Sequence, residues 1–503
     1  MCPHPPPFPD GGVEERAGGS PVLDPGNPLR DGRFRHAQAQ VKEEREREKV
    51  AVIGLGASGD AAARLALRKG AKVHVTDTSS EDPVAARGTV LADLGAEVRL
   101  GGHDIEAIAS ADTVVVSPGI PPGVPVLAAL RARGVAWVSE PEFACRFIQS
   151  PLTIVTGTNG KTTTAALCAH LLREAGVDVA LGGNIGGGLG PPASTLAATH
   201  PAADRIVLEL SSFQLADIRD LTPDVGVMTN LGVDHMDRYA TVADYHRDKR
   251  RLFEAGDEHT TWVVNGDDPA VMAMAEGVPG THLNFSLETA GSPGAYLSGG
   301  ALVLDWPGRD GPHRVAAATD LRLLGRHNVA NALAALLAAA ASGASSHTAP
   351  AALRSFPPLP HRLEPVGTFG GVLWVNDSKA TNVAAAASAL ESLDGPVVML
   401  VGGTDKGEDF RSLVPAMKGR VHTVLAYGAA GERAGAEIRG AVGRGVAVEH
   451  VLGGFEEVVD ASRAAARPGD TVLLAPACSS FDMFANYQAR GDAFRTLAAG
   501  GNR

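Results

Sequence analysis

One segment restricts the fold of this chain more than any other. The apolar run at residues 152–156 (LTIVT) leads straight into Gly157-Thr158-Asn159-Gly160-Lys161-Thr162-Thr163-Thr164, and a helix-patterned stretch follows over residues 162–175. Strand, glycine-rich turn and helix in that order are the opening of a parallel α/β unit. Glycines let the backbone wrap a phosphate, and the N–H groups at the helix start face it. A lysine at 161 can neutralise β- and γ-phosphate charge, and the Thr162 hydroxyl can ligate Mg²⁺. The spacing departs from GxxxxGK[ST] in one place, since Val155 stands where the first glycine belongs.

The rest of the chain repeats the alternation of strand and helix, which predicts an α/β protein built on doubly wound parallel sheets. Residues 1–48 differ: five prolines fall within the first nine positions and KEEREREK closes the segment, so a disordered tail is expected there. A first Rossmann-like domain is expected over 49–149, from VAVIGLGASG, AKVHVTD and TVVVS; a central phosphate-loop domain over 150–357; and a third Rossmann-like domain over 358–503, after the proline-rich SFPPLP.

Composition narrows the function. With 45 basic and 57 acidic residues the net charge is −12, which argues against a nucleic-acid partner but leaves room for small anionic ligands in a local site. The four cysteines, Cys2, Cys145, Cys168 and Cys478, form no CxxC pair, so neither a structural zinc site nor a disulfide scaffold is expected. The longest apolar stretch is too short for membrane insertion, and MCPHPPPFPDGG lacks the apolar core of a signal peptide; a cytoplasmic protein is expected.

Further candidates cluster at strand ends. Glu209 closes RIVLEL and can reach a metal beside the loop. DHMDRY, with Asp234 and His235, follows the strand DVGVMT at the carboxyl edge, where such sheets bind ligands. Lys249 would be repelled by two neighbouring Mg²⁺ ions; a neutral amine can add CO₂ and become an oxygen ligand, which hard cations prefer. Near the start, Gly54-x-Gly56-x-x-Gly59 followed by Asp77 matches a dinucleotide fingerprint. Taken alone it suggests an NAD(P)-dependent oxidoreductase, although UDP offers a pyrophosphate and a ribose as well.

Taken together, TGTNGKTTT, ELSSFQL, DHMDRY followed by YHRDKRRLF, GRHNVANALAA, LPHRLE, NDSKATN and PACSSFDMFANYQARGDAF resemble, in order, the Mur ligase family of cell-wall peptide synthetases, over about residues 50–497. The resemblance implies three domains and ATP-dependent ligation with two Mg²⁺ ions and no NAD. The string NDSKATN resembles the branch that joins D-glutamate to UDP-N-acetylmuramoyl-L-alanine through an acyl phosphate, and the family implies a monomer. By the same resemblance Gly157, Thr158, Asn159, Gly160, Lys161, Thr162, Thr163, Thr164, Asn328, Asn331, Arg362 and Asp377 would bind ATP. Thr162, Glu209, His235 and a carbamylated Lys249 would hold metal, with Lys161, His235 and Lys249 as the catalytic set. Gly56, Ala57, Ser58, Asp77, Thr78, Ser117, Pro118, Gly119 and Asn184 would contact the UDP substrate. Lys379, Thr381, Lys406, Ser480 and Phe481 would surround D-glutamate.

Overall fold

Three sheets carry the chain. The computed structural model describes residues 48–500 apart from 187, 237, 290–292, 307–310, 394 and 444, so the tail expected over 1–48 lies outside the described residues except for Glu48. Glu48 is already engaged, its carboxylate accepting from the Thr113 hydroxyl at 2.7 Å.

The first sheet contains β1 (Lys49–Ile53), β2 (Lys72–Asp77), β3 (Glu97–Leu100), β4 (Thr113–Val116) and β5 (Val138–Ser139), in the order β3-β2-β1-β4-β5 and parallel throughout. The chain leaves β1 toward β2 on one side and reaches β4 on the other. The loops after β1 and β4 therefore flank a crevice at the carboxyl edge.

The second sheet has nine strands: β6 (Leu152–Thr156), β7 (Val179–Gly183), β8 (Arg205–Glu209), β9 (Val225–Met228), β10 (Thr261–Asn265), β11 (Thr281–Ser286), β12 (Gly294–Ser298), β13 (Ala301–Asp305) and β14 (His313–Ala317). Its order is β14-β13-β12-β11-β10-β9-β6-β8-β7. Strand β6 lies inside the sheet, paired with β8 through Val155↔Glu209 and with β9 through Thr156↔Met228. The glycine-rich loop thus emerges at a switch point between two strand ends. The expectation of parallel pairing holds as far as β12; β13 and β14 extend the sheet as antiparallel hairpins. Two helices, Lys161–Glu174 and Arg326–Ala341, pack side by side over one face, and small Ala side chains let them approach closely. On the other face Trp262 of β10 is fully buried. Its ring occupies the space a Cβ would need at Gly226 and at Gly256, each of which would stand 2.2 Å from a ring carbon.

The third sheet orders β15 (Glu364–Phe369), β16 (Val372–Asn376), β17 (Val397–Gly402), β18 (Val421–Tyr427), β19 (Ala447–His450) and β20 (Thr471–Leu474) as β15-β16-β20-β17-β18-β19. Only the edge strand β15 is antiparallel. Inner strands such as VVMLVG are buried along their whole length, as expected when helices cover both faces.

Two carboxylates on the short helix Glu140–Cys145 join the first sheet to the second. Glu142 accepts from three consecutive backbone N–H groups, those of Arg219, Asp220 and Leu221, at 2.9–3.0 Å. Glu140, fully buried, accepts from the Ser194 N–H at 2.5 Å at the start of helix Ala193–Thr199. No helix among the described residues is long and apolar enough to cross a membrane.

Candidate active site

The phosphate-type loop is shaped by glycines at its two turns. Gly157 has φ +143° and Gly160 has φ +82°, and Gly160 precedes the first residue of helix Lys161–Glu174. A Cβ at Gly160 would come 2.2 Å from the Asn331 side-chain oxygen, so only glycine lets the loop lie against helix Arg326–Ala341. The end of β9 holds the loop from the side. Asn230 accepts from the Asn159 N–H at 2.8 Å and donates to the Asn159 carbonyl at 3.0 Å, and the Thr229 hydroxyl donates to the same carbonyl at 2.6 Å.

Around the loop the charged groups converge. The Thr162 hydroxyl donates to Glu209 at 2.6 Å, and the Asn184 amide donates to the other Glu209 oxygen at 3.3 Å. Lys161 donates to the Thr158 carbonyl at 2.7 Å, and Lys249 to the Gly157 carbonyl at 2.6 Å. Burial lowers the pKa of Lys161, with Glu209 and Asp234 opposing. Lys249 is 1% exposed and is held well below the usual lysine range, first by burial and then by Lys161. Its ammonium sits 4.8 Å from the centre of the Tyr245 ring.

The third sheet supplies the opposite wall. Between it and the second sheet, His361 (φ +61°) and Leu363 (φ +43°) make a left-handed turn. The buried His361 ring meets Asn376 at 3.0 Å, and this anchors the turn that carries Arg362. Asp377 follows β16; burial pushes its carboxyl up to about 7 while Arg362 opposes. Lys379 is pushed down to about 7, mainly by burial, then by Arg362, and lies 4.2 Å from the Tyr487 ring centre. Asp234, one residue before His235, receives both Lys406 at 2.8 Å and the Asn382 amide at 3.2 Å from the third sheet. Burial alone would raise the Asp234 pKa, but Lys406, His235 and Lys161 hold it well below the carboxylate range.

These groups enclose one cavity of about 650 Å³. Among the expected site residues, Thr158, Asn159, Gly160, Lys161, Thr162, Thr163, Asn184, Glu209, His235, Lys249, Asn328, Asn331, Arg362, Asp377, Lys379 and Thr381 line it. Gly157 stands behind Lys249, and Thr164 is buried beneath the loop with its hydroxyl 3.4 Å from Asn331. Lys406 is not part of the cavity lining; it donates to Asp234, which is. Ser480 is buried and Phe481 is 73% exposed; neither lines the cavity. Gly56, Ala57, Ser58, Asp77, Thr78, Ser117, Pro118 and Gly119 belong instead to the carboxyl edge of the first sheet. There the Asp77 carboxylate accepts from the Leu55 N–H at 2.7 Å, and the Ser117 hydroxyl donates to the Gly54 carbonyl at 2.7 Å.

Several residues escaped sequence reasoning as individual site members: Asp234 as the receptor for the third sheet, Asn382, Asn230, Tyr245 and Arg490. Arg490 is 1% exposed and donates to the carbonyls of Ser378, Cys478 and Ser479 at 2.9–3.2 Å, which ties together the loops after β16 and β20. Only the density of polar residues in DHMDRY and NDSKATN signalled the first two.

The oxygens of Thr162 and Glu209 suit a hard cation, which takes its remaining ligands from phosphate and water. His235 and an unmodified Lys249 offer only nitrogen; a carbamate on Lys249 would supply the oxygens such an ion needs. Among the described residues no group of three or more His, Cys, Asp and Glu side chains could hold a metal ion.

Residues 48–139 match the model of the Mur ligase MurD-like N-terminal domain, residues 155–339 the Mur ligase middle domain, and residues 361–478 the Mur ligase glutamate ligase domain. The chain is 39% identical over 446 residues to a UDP-N-acetylmuramoylalanine–D-glutamate ligase of Geotalea uraniireducens, covering 89% of this chain and 96% of that one. It is 40% identical over 451 residues to a ligase of the same name from Pelotomaculum thermopropionicum, again with 89% and 96% covered. Among solved structures it resembles the MurF ligase of Thermotoga maritima in complex with ADP (TM-score 0.55, 16% identity, 90% and 94% covered). It also resembles UDP-N-acetylmuramate-alanine ligase MurC of Thermotoga maritima (TM-score 0.55, 17% identity, 90% and 99% covered). These last two are likenesses of fold.

Proposed function

Because the chain belongs to the Mur ligase family, we propose that it joins D-glutamate to UDP-N-acetylmuramoyl-L-alanine with cleavage of ATP to ADP and phosphate, in peptidoglycan precursor synthesis. The observation that carries the choice of reaction is the identity of 39–40% to D-glutamate ligases across 89% of the chain. We place the reaction in the cytoplasm and assign it to a monomer with two Mg²⁺ ions, and we keep the domain limits 49–149, 150–357 and 358–503.

A carboxylate is a poor acyl donor because its leaving group would be an oxide ion. Its oxygen attacks the γ-phosphorus of ATP; the bond to the bridging oxygen breaks, and an acyl phosphate and ADP result. The amine of D-glutamate attacks the acyl carbon, phosphate leaves from the tetrahedral intermediate, and the nitrogen loses a proton as the amide forms. Three anions must approach one another, so the site needs fixed positive charge. Lys161 supplies part of it from the loop. Arg362 and Lys379 supply more from the facing wall, and both line the same cavity as Lys161. Thr162 and Glu209 would hold one Mg²⁺, and His235 and Lys249 a second; the metal would supply neutralisation of phosphate charge.

Lys249 fits the second role as a carbamate. Its nitrogen bonds the carbon of CO₂ and releases a proton, which requires a neutral amine; burial and Lys161 both favour that form. Asn328 and Asn331, one helical turn apart, both line the cavity and would face the nucleotide, and Asn184 would contact the ATP phosphate or the muramoyl part. The UDP end rests in the crevice between β1 and β4. Lys379 and Thr381, which line the cavity, would meet D-glutamate, with Lys406 held at its wall through Asp234; Ser480 and Phe481, expected beside them, stand outside the cavity.

The test is phosphate release from ATP and Mg²⁺ with UDP-N-acetylmuramoyl-L-alanine and a panel of amino acids. Release is expected with D-glutamate alone. No release with any amino acid, or equal release with L-alanine, would overturn the assignment.

A further inference from the structure

Arg238 bridges two domains at a point where the proposed reaction needs them held at a fixed separation. It lies in the turn after His235, whose carbonyl accepts from the Arg238 N–H at 2.9 Å. Its guanidinium crosses to the first sheet and donates to the Pro118 carbonyl at 3.1 Å and the Ile120 carbonyl at 2.9 Å. The guanidinium carbon also lies 3.9 Å from the centre of the Phe213 ring, and that ring is 4.9 Å from His235, edge to face. The far end of this chain of contacts is the crevice of the first sheet. Residues 117–120 form its wall, with Ser117 bonded to Gly54 and the Ile120 side chain 3.0 Å from where a Cβ of Gly54 would stand.

We infer that Arg238 is a positioning residue: it locks the nucleotide-sugar loop of the first domain to the loop that carries His235, and so sets how far the sugar-linked carboxylate reaches toward the γ-phosphate. The inference rests on the ligase reading. The substrate is anchored at its UDP end on one domain and reacts at its other end on another. Any freedom between those domains therefore appears directly as error in the reacting distance, and about 1 Å of misplacement costs about 10²-fold in rate. A planar fork suits the task, because it serves two carbonyls two residues apart while its face stacks on an aromatic ring. An ammonium at this position would serve one carbonyl and would lose the stacking plane.

The test compares Arg238→Ala and Arg238→Lys with the parent by steady-state kinetics and by amide hydrogen exchange. In Arg238→Ala, kcat at saturating nucleotide-sugar is expected to fall about 10²-fold with KM for ATP unchanged. Added guanidinium ion is expected to restore part of the rate, and Arg238→Lys to lie between the two. The Ile120 N–H, bonded to the Ser117 carbonyl at 3.0 Å, is expected to exchange faster in Arg238→Ala, by about tenfold. An unchanged kcat, or a loss shared equally by ATP affinity and thermal stability with no response to guanidinium, would overturn the proposal. Should the parent itself release no phosphate, the ligase reading fails, and the exchange of the Ile120 amide still decides whether Arg238 anchors the loop.

Discussion

Replacing Glu140 by Gln should change how the protein's stability depends on pH. Glu140 is fully buried, and one oxygen accepts from the Ser194 N–H. Burial pushes its carboxyl from the ordinary 4.5 up to about 7, against the opposing pull of Ser194 and Ala193. The folded pKa is thus raised above the unfolded one. Between the two values the native state keeps a proton that the unfolded chain has released. The stabilisation is fully present below pH 4.5 and is lost as pH rises through about 7. At about 1.4 kcal/mol per pH unit the whole effect is about 3 kcal/mol, of which about 2 kcal/mol falls above pH 5.5. Glutamine keeps the acceptor for Ser194 and cannot ionise. Urea unfolding followed by tryptophan fluorescence from pH 5.5 to 8.5 should show Glu140→Gln gaining about 2 kcal/mol on the parent as pH rises. Stability profiles that stay parallel within about 0.5 kcal/mol would refute the claim that this carboxyl is held protonated.

Lys161→Ala should abolish phosphate release while UDP-N-acetylmuramoyl-L-alanine still binds by calorimetry, since among the described residues the side chain bonds the loop carbonyl of Thr158 and nothing in the first sheet. Lys249→Ala should lose activity and regain part of it with a short carboxylic acid; mass spectrometry of the parent should find CO₂ on Lys249. Gly160→Ala places a Cβ against Asn331 at φ +82° and should weaken ATP binding, with about 1–3 kcal/mol of destabilisation by thermal unfolding. Glu142→Ala leaves the N–H groups of Arg219, Asp220 and Leu221 without their acceptor and should cost about 3 kcal/mol or more in unfolding experiments.

What could be read from the residues depended on how local the physics was. The run LTIVT and its glycine loop declare themselves, because a strand buried on both faces is apolar at every position and the loop's geometry is encoded by its own glycines. Strands with mixed texture did not. VALGG at β7 ends in two glycines, EPVGTF at β15 is an edge strand with a proline, and the hairpins β13–β14 alternate where a helix crossover was expected. VAWV reads as a strand, yet only Val138 of it pairs, while Trp137 lies under Arg131 at 5.0 Å. The site divides in the same way. Thr162, Glu209 and the loop follow from strand ends within one sheet. The partners of Asp234 are 148 and 172 positions away, and nothing nearby in the chain announces them.

The slot that receives Trp262 reaches beyond the strand it sits on. Strand β9 runs beside it through Gly226 and ends at the residues that brace the nucleotide loop, so the indole acts as a gauge block for that edge of the sheet. Positions 226 and 256 are thereby tied to the identity of residue 262. A smaller side chain at 262 would remove the ring carbons that a Cβ meets at both glycines, and the indole keeps both positions closed. Drift in this part of the molecule must proceed in coordinated steps, even though none of the three residues touches the chemistry.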